Sequence, residues 1–253
     1  MPCAGSAPGG PVFEKDGHMP DYTLYYWPVP FRGQFVRSVL AHIGATWQEA
    51  GVEAISALKD AAPADQPVPH MGPPVLTDHT GNLSLAQMPA ILTYLGGRHG
   101  LIADDPVQQA LIAKIVADAN DVLYEMTLYN GAQMWTKERW RAFRPRLGRW
   151  MEIFEATGRH HGMTAQAGYL LGTDAPGIAD LTVHCLWGTM TAKLPPLRPV
   201  LDATAPGIAG LCDRIAARPE QAELRARSDA QYGDAWCSGQ IEASLRDVLR
   251  SGV

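Results

Sequence analysis

The sequence predicts two units in series, a small α/β unit over 21–98 and an all-helical unit over 99–253. Strand-like patterns stop at Gly96-Gly97, and beyond them apolar residues recur only at helical spacing between short breaks. With 46% hydrophobic and 19% charged residues, the 253-residue chain can build one large core or two modest ones, and it is not compositionally disordered.

Residues 1–20 contain Gly, Pro and Ser without the apolar run of a signal peptide, and are expected to be a flexible leader. Thr23-Leu24-Tyr25-Tyr26-Trp27 is an aromatic-rich strand ended by Pro28-Val29-Pro30, because proline cannot keep donating to a ladder. From Gly33, the residues Phe35, Val36, Val39, Leu40 and Ile43 mark a helix, with Gly44 placed for a left-handed cap. Thr46-Trp47-Gln48 supplies a second, parallel strand. A weaker helix from Glu53 to Asp60 and a proline-rich loop from Pro63 to Pro69 follow. Pro73 to Leu76 and Leu83 to Leu85 read as an antiparallel hairpin turning at Gly81-Asn82, before a third helix from Gln87 to Leu95. Helices are then expected from Pro106 to about Asn130, from Thr136 to about Thr157 with Pro145 inside, and from near Gly177 and Pro206. Shorter ones follow Pro219 and Gly239.

A formal net charge of −5 argues against a nucleic-acid partner, since phosphate binding is driven by Lys and Arg. The basic run from Lys137 to Arg149 is interleaved with apolar residues and reads as a solvated helix face. Cysteines at 3, 185, 212 and 237 have no zinc or disulfide-framework spacing, and His160-His161 has no further ligand beside it, so no metal is expected. No stretch is long enough to span a membrane, and a reducing cytoplasm is the expected location.

The order β-α-β-α-β-β-α is the thioredoxin-like arrangement, and the local motifs resemble the cytosolic glutathione transferase superfamily. Asp21 to Val29 followed by Arg32-Gly33 looks like the opening strand and turn of the tyrosine-type classes, pi above all, with two residues inserted before Arg-Gly. Ala45-Thr46-Trp47-Gln48-Glu49 is similar to that class's second strand, and Gln87 stands where the family has Gln-Ser. Tyr94-Leu95-Gly96 and Gly100-Leu101 are similar to the domain junction. Gly177-Ile178-Ala179-Asp180-Leu181 is similar to the family's Ser-x-Ala-Asp cap. The resemblance runs from Asp21 to about Arg225.

It implies glutathione as co-substrate, a small apolar electrophile and a homodimer. Tyr26 would be the catalytic tyrosine. A phenol of pKa ~10 is a poor base at neutral pH but a good donor to a thiolate, whereas Tyr25 falls on the opposite sheet face. The glutathione contacts implied are Trp27, Arg32, Gln34, Trp47, Lys59, Pro73, Pro74 as a cis-proline, Gln87, Met88 and Asp118. Trp47 reads equally as a strand residue packed on the first helix. Asp121 is an alternative to Asp118, and both also read as exposed helix face. Met88 replaces the family's serine, which removes a hydroxyl donor toward the γ-glutamyl carboxylate, and Gln34 replaces its arginine after Arg-Gly; Arg32 or Gln34 is the donor that would compensate. Asp180 is expected to cap its helix, with Pro176 and Leu181 as a staple. The apolar co-substrate would lie against Tyr124, Tyr129, Trp135 and Trp236, which also read as core. The activity implied is conjugation of glutathione to an electrophile. A glutathione-dependent isomerase or ether-cleaving enzyme, and a non-catalytic binding module, are the alternatives on the same fold.

Overall fold

The computed structural model describes residues 19–251; most of the expected leader, with Cys3, lies outside them. The sheet half contains β1 (Tyr22–Tyr25), α1 (Phe31–His42), β2 (Trp47–Glu49), α2 (Val52–Asp60), β3 (Val75–Asp78), β4 (Leu83–Ala86) and α3 (Met88–Arg98). Four strands lie in the order β2-β1-β3-β4, with β1 parallel to β2 and antiparallel to β3. Tyr22 stands opposite Trp47 on one side and Asp78 on the other. Alternation along the first strand buries Tyr22, Leu24 and then Tyr26, as a period of two requires. Gly44 takes φ 67°, the left-handed value expected of it, and Asn82 takes φ 49° in the β3–β4 turn.

α1 is buried on nearly every side because it packs on the sheet and α3 as well as on the helical half. Its buried polar residues therefore need internal partners. Ser38 has one: its hydroxyl donates to Gln221 Oε1 at 2.8 Å, and Gln221 Nε2 returns a bond to Ser38 O at 2.9 Å.

The helical half begins with α4 (Pro106–Met126), capped by Asp105 accepting from Gln108 N. The expected extension to Asn130 is corrected: the helix stops at Met126. Leu128, Tyr129 and Asn130 take successive positive φ values of 41°, 64° and 57°, forming the left-handed turn α5 (Leu128–Gly131). That turn reverses the chain toward α6 (Lys137–His160), which carries Pro145 in its interior.

The helix expected from Gly177 is composite. α7 (Ile178–Val183) runs into a π-helical turn (His184–Thr189) and then α8 (Met190–Lys193). The helices α9 (Arg198–Thr204), α10 (Pro206–Ala216), α11 (Pro219–Tyr232) and α12 (Gly239–Arg250) complete the order. α9 had no expected counterpart. Carboxylates tie these helices together. Glu155 of α6 caps α10 by accepting from Gly207 N and Ile208 N, and Glu242 of α12 accepts from the amides of Trp236, Cys237 and Ser238. No helix among the described residues is long and apolar enough to cross a membrane.

Asp180 is 1% exposed and accepts from Gly177 N at 2.9 Å and Leu170 N at 2.8 Å, so one carboxylate serves both the start of α7 and the loop before it. Asp180→Ala strands two buried amides. It is expected to lower the free energy of unfolding by roughly 2–4 kcal/mol, read from denaturant midpoints, with Asp180→Asn losing less.

His184 Nδ1 bonds Cys212 O at 3.1 Å. Burial, helped by the charge of Arg225, pushes its pKa down to about 4. The unfolded chain holds a proton on this ring below about pH 6.5 while the folded one refuses it until about pH 4, so stability present above 6.5 is lost as pH falls through this window. Compared with His184→Gln, the parent chain should lose roughly 1–3 kcal/mol more between pH 7 and 4; parallel profiles for the two proteins would refute this.

Candidate functional site

After β1 the chain makes a tight turn, with Val29 N donating to Trp27 O at 2.7 Å, and α1 starts as Gln34 N meets Pro30 O. Tyr26, one residue past the strand, is thereby held at the rim of a cleft of about 490 Å³, within the range of small-molecule sites. The opposite wall comes from Asn120, Tyr124 and Thr127 at the end of α4. Met71 to Pro74 and Gln87 form the sheet-side edge, and Cys237 and Ile241 close it from the C-terminal segment.

Tyr26 is 5% exposed, and its hydroxyl accepts from Arg32 N at 3.1 Å. That bond uses an oxygen lone pair and leaves the O–H free to donate. Burial pushes the phenol up to about 12 against the lowering influence of Arg32 and Arg37, so it is protonated at neutral pH. Arg32 is pinned at its other end by Asn120, Nε to Oδ1 at 3.0 Å, with its guanidinium 4.8 Å from the Phe31 ring centroid. The cleft thus contains one cation and one neutral phenol side by side. Cys237 lies across from them, and burial together with Glu242 pushes its thiol up, so it is not a thiolate.

On the sheet side, the Pro73-Pro74 peptide is cis, and Gln87 N donates to Pro74 O at 3.2 Å. Gln87 is the N-cap of α3 and takes φ 73°, a value that costs a non-glycine residue about 1–3 kcal/mol and that clusters at functional sites. It brings the N-terminus of α3, with its unsatisfied amides and positive dipole end, to the cleft edge, where an anion is favoured.

A family model described as "Glutathione S-transferase, C-terminal domain" matches residues 111–248. The chain belongs to the glutathione S-transferase family. Over 104 residues it is 34% identical to "Glutathione S-transferase P" of Bos taurus, an alignment covering 41% of this chain and 48% of the bovine protein, so it spans about half that relative's length. Among solved structures, the Onchocerca volvulus pi-class glutathione S-transferase superposes with a TM-score of 0.66 at 18% identity, covering 83% of this chain and 94% of that one. NaGST-2 superposes with a TM-score of 0.65 at 20% identity, over 82% and 97%. These two show the thioredoxin-like plus helical fold of glutathione S-transferases, and the similarity to the pi class is weak in sequence.

Of the residues expected to contact glutathione, the cleft gathers Tyr26, Trp27, Arg32, Pro73, Pro74 and Gln87. The others stand elsewhere. Gln34 lies on another face of α1 and lines a different cavity, because Arg32 and Gln34 are about 200° apart around a helix. Trp47 is buried with Nε1 donating to Glu49 Oε1 at 3.0 Å, which is the strand-packing alternative. Lys59 is exposed on α2 and paired with Asp60. The Met88 side chain is 1% exposed in the core. Asp118 is paired with Lys114 one turn away, and Asp121 lines a separate groove beside the cleft. Of the four aromatic residues expected at the co-substrate site, Tyr124 lines the cleft and Tyr129 only that groove. Trp135 and Trp236 are core residues, bonded through Met126 O and Glu242 respectively. The cleft residues that sequence reasoning missed are Val29, Phe31, Met71, Gly72, Asn120, Thr127, Asn130, Cys237 and Ile241. No local pattern marks those from Met71 onward, because only the fold brings them within reach of Tyr26.

Gly33 explains how the Tyr26 ring is placed. A Cβ there would lie 2.7 Å from Tyr26 Cγ and closer still to Cδ1, so only glycine allows the ring to lie against α1. Gly33→Ala is expected to displace the ring and destabilise the protein by roughly 1–3 kcal/mol; unchanged denaturation midpoint and near-UV dichroism would show that the ring is held by other contacts.

Proposed function

We propose that the chain is a glutathione transferase that joins the thiolate of glutathione to small apolar electrophiles. The observation that carries this reading is the buried Tyr26 phenol, protonated and with its O–H free, at the rim of the cleft. A free thiol of pKa ~8.5 is only a few per cent ionised at neutral pH, and a donor aimed at sulfur favours the charged form. Lowering the thiol pKa by about two units corresponds to roughly 2.7 kcal/mol and makes thiolate the main species.

In this reading 21–98 is the glutathione-binding domain and 99–253 the helical domain. The γ-glutamyl carboxylate meets the N-terminus of α3 at Gln87, and the cysteinyl backbone runs beside Pro73-Pro74 as an added strand. The loss of the family's serine at Met88 removes a hydroxyl but not the backbone amides of that helix end, so an anion site remains. Trp27 and Arg32 complete the contacts, Arg32 offering a cation near the sulfur. The electrophile enters against Tyr124 and Ile241. The sulfur lone pair then forms the new S–C bond while the leaving group departs with its electron pair, or the addition product takes a proton. A homodimer in the cytoplasm is part of the same reading.

Glutathione titrated into wild type should show calorimetric binding and a thiolate absorbance that titrates well below pH 8.5. Tyr26→Phe should bind with similar affinity, lose the thiol shift, and lose roughly 10- to 100-fold in kcat/KM with an aryl-halide substrate, as expected for one bond to a charged group. Failure of wild type to bind glutathione would sink the proposal, and equal ionisation in Tyr26→Phe would remove that residue's role.

A further inference from the structure

We propose that the cavity between α1, the π-helical turn with α8, and the helices α10 and α11 is a second binding site, for a small uncharged molecule presenting an N–H and a C=O side by side, as a lactam does. This cavity, about 200 Å³, lies apart from the cleft and Tyr26 does not line it. The residue that points to a ligand is Gln34. Its side chain lines the cavity at 6% exposure, and its Oε1 meets no donor among the described residues. Buried polar groups are almost always paired, and one turn further along the same helix Ser38 has its full complement from Gln221. Four buried side-chain polar atoms among the described residues have no partner, and Gln34 Oε1 is the one whose residue lines this cavity, where a ligand would supply the missing donor.

The chemistry of the ligand follows from the lining. A carboxamide sets an acceptor beside a donor, so its complement is a donor beside an acceptor, which a lactam supplies in one plane with two bonds. Two of the three cations around the cavity are closely paired, Lys193 with Asp229 at 2.6 Å and Arg198 with Asp213 at 2.7 Å, and the third, Arg225, is a solvent-exposed side chain 3.6 Å from Asp229. An ionic ligand would have to compete with those pairs, whereas an uncharged one leaves them intact.

The probe is 2-pyridone, with pyridine as the acceptor-only control, titrated by calorimetry into wild type, Gln34→Met and Tyr26→Phe. Wild type and Tyr26→Phe should bind one 2-pyridone with equal affinity, and pyridine at least tenfold more weakly. Gln34→Met should weaken 2-pyridone at least tenfold, about 1.4 kcal/mol, while unfolding at or above the wild-type midpoint, since it removes the orphan oxygen. Should Gln34→Met not fold, Gln34→Leu takes its place. A crystal structure with 2-pyridone should show it bonded to Gln34. No binding by wild type, unaltered binding by the folded Gln34 variant, or a probe found in the Tyr26 cleft would each overturn the proposal. None of these readouts uses glutathione, so the assignment of the cleft stands or falls separately.

Discussion

The geometry of the cleft depends on a buried ion pair that stands behind its wall, with neither partner lining it. Arg37 of α1 is 2% exposed and meets Glu49 of β2 through two parallel bonds, Nε to Oε1 at 2.8 Å and Nη2 to Oε2 at 3.0 Å. Its Nη1 donates to Val29 O at 2.9 Å, inside the turn that carries the chain from Tyr26 to α1. The guanidinium lies 5.7 Å from the Tyr26 ring centroid and 5.2 Å from that of Tyr232. Burial opposes the charge on Arg37, but the Glu49 carboxylate holds it on and raises its pKa. A planar, forked cation suits this place because it satisfies a carboxylate, a carbonyl and two aromatic faces at once, which an ammonium could not. A buried pair of this kind adds little net stability compared with an apolar filling, and its value is in fixing one arrangement of strand, turn and helix.

α1 distributes the consequences. One face presents Arg32 to the cleft, another engages β2 through Arg37, and a third places Ser38 and Gln34 against the helical half. The helix is buried on nearly every side, and its polar residues Arg32, Arg37 and Ser38 are each answered by a partner from a different element. The Asp180 cap and the Glu155 and Glu242 cradles do equivalent work in the helical half. Each is a single carboxylate that collects two or three backbone amides: from two stretches at Asp180, from the start of α10 at Glu155, and from the turn ahead of α12 at Glu242.

Much of the site could be read from short-range pattern. Tyr26 follows from strand alternation and the proline-ended turn, Gln87 from its place before a helix, and the Asp180 cap from its three-residue offset after Gly177. What failed to transfer was position within a helix or strand. Gln34 stands two residues from Arg32 in sequence and on another face. Trp47 and Met88 point inward, where apolar burial outweighs any contact their neighbours make with the cleft. The left-handed turn at Leu128 to Asn130 was illegible for a related reason. Leu128, Tyr129 and Asn130 continue an ordinary helical pattern, and the only glycine of the turn, Gly131 at φ 84°, comes after the residues that leave the helix.

By itself, then, the amino-acid order determined the succession of strands and helices and the residue types at the end of the first strand. These depend on periodicity, turn chemistry and capping within a few residues. Only the tertiary structure decided which side chains share a cavity. Cys237 and Ile241 reach the cleft from more than 200 positions beyond Tyr26, and Gln34 is brought to His184 across 150. Such meetings arise from the burial of apolar surface on both sides of α1, a summed, non-directional driving force that leaves no local mark in the sequence.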